Sequence, residues 1–146
     1  MRKEEKYAAL LPQMQGLMAD GDEIARMANF AALLHLEMGF WWTGFYRVAG
    51  DELVLGPFQG PVACTRIAYG RGVCGSAWQQ RQTLVVPDVD LFPGHIACSA
   101  ESRSEIVVPV WKDDRIIAVL DIDSRDLGTF DDTDRFYLEQ FVALLS

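Results

Sequence analysis

Two apolar runs, Ile106 to Trp111 (IVVPVW) and Arg115 to Asp123 (RIIAVLDID), are separated only by Lys112-Asp113-Asp114. Both are dense in β-branched residues, which suit a pleated, half-buried surface. A link this short admits only a hairpin, because parallel neighbours need a crossover of a dozen or more residues. The chain is thereby committed to an antiparallel ladder. Pro109 cannot donate to that ladder, which points to an edge position or a bulge.

The segments before this hairpin extend the pattern. Tyr7, Leu10, Leu11, Met14, Leu17 and Met18 recur at helical spacing and predict a helix over residues 4–18. Asp22 is an expected N-cap for a second helix carrying Ile24, Met27, Ala31, Leu34 and Met38, with Gly39 as its left-handed terminus. His35 lies within it, far from any Cys or second His, and is read as structural. Trp41 to Val48 (WWTGFYRV) reads as a strand, and Leu53 to Phe58 as its hairpin partner. Gly56-Pro57 and Gly60-Pro61 then break regularity. Ile67 is placed on a short strand, Ser76 to Arg81 on a short helix and Thr83 to Val86 on a strand. Residues 88–103 form a loop whose Leu91, Phe92 and Ile96 are too apolar for plain solvation, so it is read as a lid packed over a site. Thr129 or Asp131 caps a last helix from about Asp132 to Leu145. Hairpins dominate, so the fold class is α+β with a mainly antiparallel sheet and helices packed on it, in one domain spanning residues 1–146.

Charge narrows the function. With 13 Lys+Arg against 21 Asp+Glu the net charge is −8, which argues against nucleic acid and against an anionic membrane surface. No apolar run approaches the roughly 20 residues of a membrane span. The N-terminus does not lead into a signal-peptide segment, since Pro12 and Gln13 interrupt its apolar residues. The expected location is the cytoplasm, where the three cysteines, Cys64, Cys74 and Cys98, are kept as thiols.

The residues able to do chemistry gather between Cys64 and Asp123. Asp121 and Asp123 lie two apart on a strand, hence on one face, with Cα atoms roughly 6.6 Å apart. Two carboxylates in a poorly solvated place oppose each other's ionisation and one pKa rises. Such a pair either supplies an acid near neutral pH or grips a cation such as an ammonium. Glu105, opening the neighbouring strand, adds a third. Three carboxylates also suit a hard metal, but no ligand loop has metal-binding spacing, and the cysteines, ten and twenty-four residues apart, hold no C-x₂-C pair. No metal is expected. Trp42 and Tyr46 share a face about 13 Å apart along their strand, with Gly44 between them, and either wall a small pocket or pack under a helix. Gly70-Arg71-Gly72-Val73-Cys74-Gly75 opens a short helix whose N–H groups can hold an anion. Cys74, near that helix start, has its thiolate favoured by the dipole. Cys98 sits in a loop three residues after His95. The residues alone favour Cys74 slightly as the low-pKa thiol.

Five segments in order, WWTGFY (41–46), LGPFQGPVACTRIAYGRGVCGSAW (55–78), VPDVDLFPGHIACS (86–99), SEIVVPV (104–110) and VLDIDS (119–124), resemble the free methionine-(R)-sulfoxide reductases, a branch of the GAF-domain proteins. One departure is Ser99, where that family tends to carry Asp after its third cysteine. The resemblance implies a GAF fold with a six-stranded antiparallel sheet, and reduction of free methionine (R)-sulfoxide with thioredoxin as reductant and no other cofactor. It implies a nucleophile at Cys98, a resolving thiol at Cys64, and Cys74 as a third partner. Trp42 and Tyr46 are implied around the substrate methyl, and Glu105, Asp121 and Asp123 at its amine and sulfoxide oxygen, Asp123 also acting in catalysis. A homodimer fits such a domain. The rival readings are a GAF module that senses a small molecule without chemistry, and a thiol redox sensor.

Overall fold

Local chemistry sets the ends of the helices. The computed structural model describes residues 1–95, 98 and 100–146. Helix α1 spans Lys3–Leu17 and α2 spans Glu23–Met38. The Asp22 side chain accepts from the Ala25 N–H, and Gly39 closes α2 with a φ of 73°, a left-handed conformation that glycine adopts without steric cost. The last helix, α4 (Asp132–Ala143), starts on Asp131. Its side chain accepts from the Thr133 and Asp134 N–H groups while Asp134 reaches back to the Asp131 N–H, a reciprocal cap. Of the two caps foreseen for this helix, Asp131 is the one used.

Six strands form one sheet: β1 (Trp42–Ala49), β2 (Glu52–Gln59), β3 (Arg66–Ala68), β4 (Leu84–Val86), β5 (Ser104–Lys112) and β6 (Arg115–Ser124). Their order is β3-β2-β1-β6-β5-β4, and every neighbouring pair is antiparallel. The expected α+β class and mainly antiparallel sheet therefore hold. The β5–β6 turn places Asp113 and Asp114 at φ 52° and 62°, the two left-handed residues that let a two-residue loop match the twist of its strands. Gly56-Pro57, read as a break, instead sit inside β2 at a bulge, where the register against β1 slips between Gly44 and Tyr46. Pro109 pairs with Val119 of β6 but lies beyond the last β4 pairing, Leu84 with Val107, so one side of β5 has no strand partner there, and a register shift follows at Val110/Trp111.

Alternation along the strands divides the core. On one face Phe45, Ile106, Val108, Val110, Leu120 and Ile122 pack against α1, α2 and α4 through residues such as Tyr7, Met14, Phe30, Leu34, Leu138 and Phe141. On the other, Trp42, Tyr46, Val107 and Val119 pack with Val73, Cys74 and Ala77 of α3 (Gly72–Gln80). Among the described residues no helix is long and apolar enough to cross a membrane.

A buried polar knot joins the first and last helices. Asp134 is fully buried and accepts from the Tyr7 hydroxyl at 2.5 Å and from Lys3 Nζ at 2.7 Å. Tyr7→Phe leaves the Lys3 contact but removes one donor to a buried carboxylate. It is expected to cost about 1–2 kcal/mol in urea unfolding. An unchanged midpoint would show that Lys3 and the Asp131 N–H satisfy Asp134 alone.

Candidate active site

Three strands end together under α3 and deliver the polar groups. In the ladder Asp123 stands between Trp42 of β1 and Glu105 of β5, and Asp121 between Gly44 and Val107. The sequence spacing put both aspartates on one face, and the register adds Glu105 beside them. Glu105 is 6% exposed and Asp121 5%, so neither carboxyl has bulk water to stabilise a charge. Burial raises the pKa of all three acids, and for Glu105 and Asp123 the neighbouring Asp121 raises it further. Hydrogen bonding pulls Asp121 part of the way back. The three acids oppose one another's ionisation and titrate as a group rather than singly. Ser102, just before β5, donates to Asp123 Oδ1 at 3.3 Å. Its role was not legible in the sequence, since a serine before a strand carries no signature.

The aromatic wall is tighter than strand spacing suggests. Trp42 and Tyr46 stack with ring centroids 6.1 Å apart, and Trp42 also stacks on Phe58 of β2 at 5.2 Å. The roughly 13 Å gap expected along the strand closes as the Trp42 ring leans over Gly44 toward Tyr46. A Cβ at Gly44 would collide with the Phe58 side chain and the Trp42 ring. Glycine is thus needed there for close approach. A glycine facing a large aromatic across a hairpin was the signal that could have identified Phe58. The polar ends of both rings reach the segment after β2: Trp42 Nε1 donates to the Pro61 carbonyl at 2.9 Å, and the Tyr46 hydroxyl to the Cys64 carbonyl at 2.8 Å. The aromatics therefore position the cysteine as well as lining a cavity.

Cys64 is joined to Cys98 by a disulfide with Cα atoms 5.4 Å apart. Cys98 is exposed and Cys64 half-buried, so the bond meets solvent. Cys74 is free and buried. Its thiol is pushed up first by burial and then by Asp121, Glu105 and Asp123. That reverses the sequence expectation of a low-pKa Cys74: the helix start is present, but three carboxyls and a dry setting outweigh its dipole. The Cys74 sulfur lies 4.0 Å from Glu105 Oε2.

One cavity, of about 50 Å³, brings these parts together. Its lining includes Trp42, Tyr46, Cys74, Cys98, Glu105, Asp121 and Asp123, with Arg71, Gly72 and His95 at its border. Every sequence-nominated site residue thus borders it except Cys64, which reaches it through the disulfide. The start of α3, expected to hold an anion, also faces it. In the loop over the site, Val89 and Phe92 pack into the core cluster below α3, whereas Leu91 is exposed rather than packed. Ile96 and Ser99, both singled out in the sequence, lie outside the described residues.

Known proteins agree with this architecture. The family profile described as GAF domain matches residues 22–146. GAF domain-containing protein A of Dictyostelium discoideum is 57% identical over 98% of this chain and 92% of its own. The free methionine-R-sulfoxide reductase of Escherichia coli is 49% identical over 99% of this chain and 89% of its own. Among solved structures, the free methionine-R-sulfoxide reductase of Neisseria meningitidis, in complex with its substrate, superposes with a TM-score of 0.97 at 53% identity, covering 99% of this chain and 89% of that one.

Proposed function

Because this chain belongs to the GAF-domain family, within its free methionine-R-sulfoxide reductase branch, we propose that it reduces free L-methionine (R)-S-oxide to methionine. The observation that carries the reading is the Cys64–Cys98 disulfide standing over a cavity that three carboxyl groups line. That is the oxidised end of a thiol reaction next to a proton supply.

The chemistry rests on these residues. A sulfoxide sulfur becomes electrophilic when its oxygen receives a proton, and a carboxyl with a raised pKa keeps one available at neutral pH. The Cys98 thiolate attacks the sulfur, methionine leaves, and Cys98 retains the oxygen as a sulfenic acid. The Cys64 thiol then condenses with it, releasing water and forming the disulfide. Thioredoxin contributes two thiols, becomes oxidised and restores both cysteines. The net change is one sulfoxide and one dithiol converted to one thioether, one disulfide and one water.

The same groups account for the choice of a free amino acid. Glu105, Asp121 and Asp123 pair with its ammonium and hold the sulfoxide oxygen. A peptide-bonded residue lacks that charge and would leave the buried acids unmatched. Arg71 and the first-turn N–H groups of α3, which have no intrahelical partners, suit its carboxylate. Trp42 and Tyr46 face the methyl group. The disulfide state is the product state, since about 50 Å³ falls well short of the ~300 Å³ of a small ligand pocket. Reduction precedes substrate entry. Residues 1–146 act as one GAF unit, in the reducing cytoplasm, with thioredoxin as reductant, no further cofactor, and pairing into a homodimer.

A thioredoxin-coupled assay on both epimers tests the reading. The R epimer of free methionine sulfoxide should turn over and the S epimer should fall at least about a hundredfold behind, because exchanging methyl and oxygen points an apolar group at the carboxyls. A sensor module would consume neither, and a thiol redox sensor would be oxidised by peroxide without distinguishing them.

A further inference from the structure

We propose that the disulfide-bonded protein binds one divalent cation of the zinc class between Cys74 Sγ, a carboxylate oxygen of Glu105 and a carboxylate oxygen of Asp121. One ligand atom from each of these buried residues lies within 4.8 Å of the others. They come from three rigid elements, α3, β5 and β6, so folding presents them together without a ligand loop. This is why the sequence, which has no C-x₂-C pair, led to the opposite expectation.

Two further observations point to a ligand there. Asp121 is 5% exposed, and its Oδ1 is buried without a hydrogen-bond partner. Asp123, by contrast, has the Ser102 hydroxyl. Among the described residues no ion pair joins Glu105, Asp121 or Asp123 to a lysine or arginine, and His95 is the charge that acts to lower the pKa of Asp121. The cavity, about 50 Å³, is too small for an amino acid, yet it exceeds the ~15 Å³ that one water needs. An ion with a water in its fourth position fits.

The donor set selects the metal. One thiolate with two carboxylates suits a borderline ion such as Zn²⁺ and disfavours Ca²⁺ or Mg²⁺, which take oxygen alone. Zn–S near 2.3 Å and Zn–O near 2.0 Å set a tetrahedral S···O separation of roughly 3.5 Å. The Cys74–Glu105 distance of 4.0 Å needs only a small closure, within reach of side-chain rotation. Binding expels the thiol proton, as at any cysteine-ligated zinc. A bound cation would occupy the place of the substrate ammonium and slow turnover. That consequence rests on the reductase reading, whereas the binding does not.

The oxidised protein isolates the site, because Cys74 is then its sole thiol. Titration with Co²⁺ alone should give a thiolate-to-cobalt charge-transfer band that saturates at one equivalent and is displaced by one equivalent of Zn²⁺. Cys74→Ser should abolish the band, and Asp121→Asn should weaken Zn²⁺ binding at least about tenfold. Absence of the band in the oxidised wild-type protein overturns the proposal, whether or not the variants fold. So does a band that survives Cys74→Ser. Sulfoxide turnover measured on the same metal-free preparation separates failure of this site from failure of the reductase reading.

Discussion

Cys98→Ser should abolish methionine formation even in a single pass with no reductant, a loss of at least about a thousandfold, the scale of removing a covalent nucleophile. Cys64→Ser should behave differently, yielding about one methionine per enzyme and then stopping, since the sulfenic acid at Cys98 has lost the thiol that resolves it. Rapid quench of stoichiometric enzyme and sulfoxide reads both outcomes, and a sulfenic-acid trap should label the Cys64 variant alone. The assignment is the one the family resemblance implies, and accessibility and charge support it. Cys98 is exposed, so its thiolate is solvated, whereas Cys74 is buried among three acids that oppose its ionisation. Full single-pass yield from the Cys98 variant would move the nucleophile to Cys74 or Cys64 and discard the Cys98 mechanism.

The parts of this site that read directly from sequence are those governed by local rules. Strand alternation put Asp121 and Asp123 on one face and Trp42 with Tyr46 on another strand's matching face. The short Lys112-Asp113-Asp114 link fixed the β5–β6 hairpin that sets Glu105 beside Asp123. Asp22, Gly39 and Asp131 declared the helix ends. Each of these depends on residues within a few positions of one another.

What escaped depends on several elements at once. The stacking of Trp42 on Phe58 sits beside a bulge at Gly56-Pro57, and the register it sets is one that no spacing rule foretells. Cys74 was misjudged because its helix start is written in sequence, whereas the acids that outweigh it arrive from β5 and β6. The Cys64–Cys98 pairing links segments 34 residues apart, and among three cysteines spacing alone leaves every pairing open. Only the resemblance to known reductases suggested that those two work together. The donor cluster of Cys74, Glu105 and Asp121 escaped for the same reason as the Cys74 environment: its three members are distant in the chain and meet only in the folded sheet.

Asp121→Asn should separate stability from catalysis, moving them in opposite directions. Asparagine cannot share a proton across the trio or help hold one on Asp123, the acid implied in catalysis, so kcat should fall by about 10²–10⁴-fold. Stability should rise. The folded-state pKa values of the trio lie above those of the unfolded chain, so the folded protein binds more protons than the unfolded one once the pH exceeds about 4. Stability must then decline as pH climbs from there through the raised values. A neutral amide at position 121 removes one of the opposed groups and flattens that decline. At neutral pH the gain should be about 1 kcal/mol, or some 2–4 °C in Tm for a chain of this size. The wild-type rate should also drop on the alkaline side, as the acids lose their proton, and this limb should move to lower pH in the variant, where Asp121 no longer raises Glu105 and Asp123. Calorimetry at several pH values with a parallel pH–rate profile checks both halves. A variant with unchanged kcat would remove Asp121 from the proton supply, and one that is less stable at pH 7 than the wild type would mean that the buried carboxylate is stabilised by a partner rather than strained by its neighbours.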